Sequence, residues 1–183
     1  MRSFIPIATV FTLLAAVSCG QTPPTAPTDQ AQSADLLDVP TSHQGQGVAL
    51  SVTGSGHYTT SAGNLRTFAF EVKELQDGSV RGSFQLTGHG HPTSTLHGPL
   101  TCLAVVGNEA WIGGVYDRAS SPVLVGTGFW FYVQDDGEGH NAPPDLVRRH
   151  VRSGNADDCA SMPDPGTEFL FPVEAGNIQI HSR

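Results

Sequence analysis

From Gly47 onward, apolar residues recur at every second position in short runs, and Gly, Asn and Asp separate the runs. A period of two puts one face of an extended strand against a core and the other in water, so this part of the chain reads as antiparallel sheet. Val48, Leu50 and Val52 alternate with Ala49, Ser51 and Thr53. Phe68, Phe70 and Val72 alternate with Thr67, Glu71 and Lys73, and Val80, Phe84 and Leu86 with Arg81, Ser83 and Gln85. Gln76-Asp77-Gly78 joins the last two runs, because Asp-Gly accepts positive φ. Gly107-Asn108, suited to a tight primed turn, joins Leu100 to Val106 with Ala110 to Val115.

Val123 to Val133 carries Phe129, Trp130, Phe131 and Tyr132 in succession, too apolar on both faces for a strand with one side in water. It is expected to be central, or covered by the chain that follows. Phe169 to Val173 and Asn177 to Ile180 supply closing strands. Asp145 to Val151 reads equally as helix or strand, and no window of ten residues carries a convincing 3.6 period. The expected fold is an all-β antiparallel meander of seven to nine strands closed as a barrel, with a sandwich as the alternative.

Residues 1 to 18 read as a signal peptide: Arg2 is the only charge, an apolar stretch runs from Ile5 to Val17, and small residues precede Cys19. That stretch is too short to span a bilayer as a helix. Ala16-Val17-Ser18-Cys19-Gly20 resembles the lipobox of bacterial lipoproteins, although Ala16 stands where that family prefers Leu. The resemblance implies that Cys19 becomes the first residue and carries a diacylglyceryl group. Residues 19–46, rich in Pro, Thr, Gln and Ala, then read as a flexible tether, and 47–183 as a single domain. The expected location is outside the cytoplasmic membrane, facing the periplasm or the cell exterior.

With Cys19 given to lipid, Cys102 and Cys159 are the two cysteines left in an oxidising compartment, and a disulfide between them is expected. The net charge of -8 offers no basic footprint for phosphate backbones, so nucleic acid is not an expected partner.

Leu96-His97-Gly98, Thr101-Cys102-Leu103, Val106-Gly107-Asn108, Ala110 and Ile112-Gly113-Gly114 form a run similar to one in a group of secreted bacterial proteins with no assigned activity. Asp136-Gly137-Glu138-Gly139, Pro144-Asp145, Cys159 and the stretch from Pro172-Val173 to Ile178 fit the same group. The resemblance spans most of residues 56 to 180. It implies an exported β-rich domain and assigns no catalytic residue.

Two constellations could hold a metal. Asp135, Asp136, Glu138, Asn141 and Asp145 crowd oxygen ligands around two glycines with no Lys or Arg between them, as Ca²⁺ requires, although the spacing is not that of an EF-hand. The competing reading is a solvated acidic turn. His89 and His91 are two apart and would share a strand face, so with His57 or His97 they could bind zinc or copper. The phase of Phe84 and Leu86 turns both outward, which favours a solvated turn. No Gly-x-Ser-x-Gly elbow is present, and Trp111, Trp130 and Tyr132 read as core more readily than as a sugar or lipid pocket. The favoured function is a non-catalytic binding or interaction domain on a membrane anchor, taking a small ligand, a glycan or a protein. The alternative is a metal-dependent extracytoplasmic enzyme using the histidines or the acidic loop.

Overall fold

A computed structural model describes residues 47–182, apart from His91, His140 and Asn155. The signal peptide, Cys19 and the tether lie outside the described residues. No described helix is long and apolar enough to cross a membrane.

The described chain is all β. Ten strands follow in order: β1 (Val48–Thr59), β2 (Leu65–Leu75), β3 (Val80–Gly88), β4 (Ser94–Val106), β5 (Glu109–Val115), β6 (Arg118–Ala119), β7 (Gly128–Gln134), β8 (Leu146–Arg152), β9 (Leu170–Pro172) and β10 (Ala175–Ser182). They form one antiparallel sheet, ordered β10-β1-β2-β3-β4-β5-β7-β8-β9 with β6 against β4, and it curls strongly into a half-barrel. Asp145 to Val151, ambiguous in sequence, is strand. The run from Leu170 to Ser182 pairs with β8 through β9 and with β1 through β10, so one stretch of chain bonds to both ends of the strand order.

The concave side holds the core. Val52, Phe68, Phe70, Val72, Phe84, Leu86, Leu100, Ile112, Phe129, Phe131, Val133 and Ile178 pack there in the phase the alternation dictates. Phe131 packs edge-on to Phe70 at 5.2 Å and tilted against Phe84 at 5.0 Å, joining opposite walls of the curl. Both hairpin turns fall where expected. Gly78 (φ +79) closes one, donating its N–H to the Leu75 carbonyl. Gly107 (φ +63) opens the other, and since no non-glycine residue has positive φ, Asn108 does not join it there. That pattern is the type II′ turn, which needs glycine only at its first central position.

The aromatic strand is shorter than the sequence suggests, beginning at Gly128. Pro122–Leu124 is a 3-10 turn, and Val123 is 81% exposed. β7 is buried on both faces, as expected, because the later chain covers its outer side. Trp130 and Tyr132 point outward. Trp111 packs edge-on to Tyr132 and donates its indole N–H to the Pro163 carbonyl, while the Arg148 guanidinium lies over both Trp130 and Phe169.

A β-bulge between Leu100 and Cys102 makes this second layer attachable. The extra residue reverses the phase of β4, so Cys102 faces outward and bonds Cys159 across a Cα–Cα distance of 5.8 Å. A Cβ on Gly113 would collide with the Ala156 carbonyl, and one on Gly128 with that of Ser153. Both glycines let the covering segment lie directly on the sheet.

Candidate functional site

The acidic loop sits at the end of the curl where β1 begins. Its oxygens are already engaged. Asp135 accepts the Ile180 N–H (3.0 Å) and Asp145 accepts the Ile178 N–H (2.7 Å). Those amides are two residues apart on β10, so both point to the edge of β10 away from β1. The carboxylates therefore cap a sheet edge that would otherwise expose unpaired donors. Asp145 also accepts the Asp136 N–H (3.0 Å), and its carbonyl takes the Val173 N–H (2.8 Å). Asp136 accepts from Gln134 and Asn108. Glu138 accepts from Asn177 and Gln179, which hold its carboxyl below the ordinary range. Burial raises the Asp145 carboxyl, against the pull of its two N–H donors. Asn141 is exposed at the tip.

The histidines are likewise apart. His57 faces Glu174 at 4.0 Å, His89 bonds the Thr67 hydroxyl (2.8 Å), and His97 bonds Asp117 (2.6 Å). His91 lies outside the described residues. Among the described residues, no three His, Cys, Asp or Glu side chains converge as a metal would require. Trp111, Trp130 and Tyr132 lie under the covering layer rather than on a pocket.

What the sequence reading missed lies at the other end of the curl, where β2 and β4 begin and β3 and β8 finish. A cleft of about 750 Å³ opens there, lined by Arg66, Leu86, Leu96, Leu124, Arg149, His150 and Arg152, with Thr93, Ser94, Thr95, Ser120 and Ser121 along its rim. Arg66 occupies the inward phase of Phe68 and Phe70, one turn of the pleat beyond the apolar core. The other basic groups arrive through a second bulge. Trp130 pairs with Val151 but Tyr132 with Arg148, so Arg149 and His150 together face Phe131. This sends Arg148 outward onto Trp130, while Arg149, His150 and Arg152 line the cleft.

No Asp or Glu lines the cleft. Among the described residues, none of the three arginines there makes an ion pair, nor do Arg81 and Arg148, whereas Lys73 and Arg118 do. Their fields converge on His150, whose ring burial and whose neighbours Arg149, Arg66 and Arg152 push it down to about 4. Its Nδ1 is buried without a partner, and so is the hydroxyl of Tyr116, whose ring meets His150 edge-on at 6.0 Å. Burial raises Tyr116, and pushes Tyr58 up to about 12. One signal did exist in the sequence: three of its nine basic residues fall within Arg148-Arg149-His150-Val151-Arg152.

The His150 environment sets a sign for acid sensitivity. An ordinary histidine near 6.5 is protonated in the unfolded chain where the folded one, at about 4, is not. Stability therefore falls as pH is lowered through that window, by about 2 kcal/mol between pH 7 and pH 5. Urea unfolding at the two pH values should show this loss, and His150→Leu should lose correspondingly less. Equal losses in the two proteins would contradict the assignment.

Compared with protein-family models, curated proteins and solved structures, the chain matches none.

Proposed function

We propose that this chain is an exported, lipid-anchored, non-catalytic binding domain whose ligand is an anion seated in the arginine-lined cleft. The observation that carries the reading is the set Arg66, Arg149 and Arg152, unpaired on a cleft without a carboxylate in a chain of net charge -8. Three like charges brought together around a neutral, desolvated imidazole cost stability, and such costs are characteristic of sites kept for binding. A pocket of this size suits a small molecule. The cleft also lies where β1 finishes, remote from Val48, where the chain leaves toward the tether.

The charge cost is measurable without a ligand. Arg149→Gln/Arg152→Gln should leave stability unchanged or raise it by up to about 1 kcal/mol, since exposed charges interact weakly in water. A fall of more than about 1 kcal/mol in urea unfolding would make the arginines structural and overturn the reading. For the anchor, two acyl chains at about 0.8 kcal/mol per buried methylene hold a protein stably. Cys19→Ala should move the protein from the membrane pellet to the soluble fraction; retention in the pellet would exclude lipidation as the anchor.

A further inference from the structure

If an anion does occupy the cleft, the lining narrows what carries it. The core closes immediately beneath. The hollow among Tyr58, Phe68, Phe84, Phe131, Val147 and His150 measures about 10 Å³, close to the minimum for one water. An acyl chain has no apolar shaft to enter. The rim presents hydroxyls instead, among them Ser94 and Ser121, beside a short apolar patch of Leu86, Leu96 and Leu124. Guanidinium forks match a carboxylate or phosphate bidentately. Hydroxyls pair with a polyol, and a small apolar patch suits the C–H face of a sugar ring.

We propose that the cleft binds a sugar residue bearing one carboxylate or phosphate group. The assignment rests on the anion reading above, and its test separates the two. Glucuronate, glucose 6-phosphate, glucose, inorganic phosphate and octanoate are titrated separately into the purified protein by calorimetry at low salt, then into Arg149→Gln/Arg152→Gln. The expected result is that one acidic sugar binds about tenfold or more tighter than glucose, phosphate and octanoate, and loses about tenfold or more in the variant. Which acidic sugar binds distinguishes a uronate from a sugar phosphate. Octanoate or phosphate binding as tightly as the acidic sugars, with the same loss in the variant, would overturn the saccharide assignment and leave the anion site standing. Acidic-sugar binding unchanged in the variant would remove the ligand from this cleft. No binding by any of the anions would overturn both readings.

Discussion

Replacing Asp145 with alanine should destabilise the fold by about 3 kcal/mol. The side chain is 6% exposed and accepts the N–H groups of Ile178 and Asp136. Alanine would strand both donors, at roughly 1–3 kcal/mol each, offset in part by relief of a buried charge. Asp145→Asn should fall between, because its carbonyl oxygen can serve one N–H while its amide nitrogen confronts the other. Denaturant unfolding checks the order: wild type above Asn above Ala. The pH sign is opposite to that of His150. Burial raises the Asp145 carboxyl, so the folded state keeps its proton to higher pH than the unfolded chain, and ionisation costs stability as pH rises past the ordinary carboxylate value. Asp145 is therefore not a source of acid unfolding. A stable Asp145→Ala protein would show that the edge of β10 does not depend on the loop.

The second large effect belongs to the Cys102–Cys159 bridge, which closes a loop with a sequence separation of 57. In the chain-entropy model this contributes about 4 kcal/mol, a large share of the roughly 5–15 kcal/mol that holds a typical domain folded. The bridge also pins the covering layer to the outer face of β4 and β5. Cys102→Ala/Cys159→Ala should therefore lose about 4 kcal/mol in urea unfolding. The covering layer should also loosen first, exposing Trp111 and Trp130 and shifting their fluorescence to the red before the core unfolds. An unshifted spectrum with full stability would mean that packing alone holds the layer.

These two features differ in how far they could be read in advance. The disulfide followed from counting cysteines. The bulge that turns Cys102 outward did not, since an extra residue in one strand has no letter of its own. The same limitation hid the cleft: strict alternation along Val147 to Arg152 would have placed Arg149 and His150 on opposite faces, and the bulge brings both to one end of the curl. The core was legible because Phe68, Phe70, Val72, Phe84 and Leu86 repeat with the pleat, and burial needs little more than that period. The hairpins were legible because Gly78 and Gly107 are among the few residues that accept a left-handed backbone. The acidic loop was visible as a cluster, but its role was not. Its partners at Ile178 and Ile180 are backbone amides more than thirty residues away, and a backbone donor looks the same at every position. The sequence left the cluster as either a solvated acidic turn or a calcium site, and the structure adds the N–H donors that Asp135 and Asp145 accept.

The central claim is that the arginine cleft is the binding site. The most direct measurement follows the side-chain Nε–H signals of Arg66, Arg149 and Arg152 and the His150 ring by nuclear magnetic resonance, while glucuronate and glucose 6-phosphate are added in turn. The account predicts that for one of them these signals shift together and saturate at one concentration, with the Trp111 indole N–H, bonded to the Pro163 carbonyl away from the cleft, unchanged. Saturable shifts confined to other residues, or none in the cleft with either ligand, would contradict it.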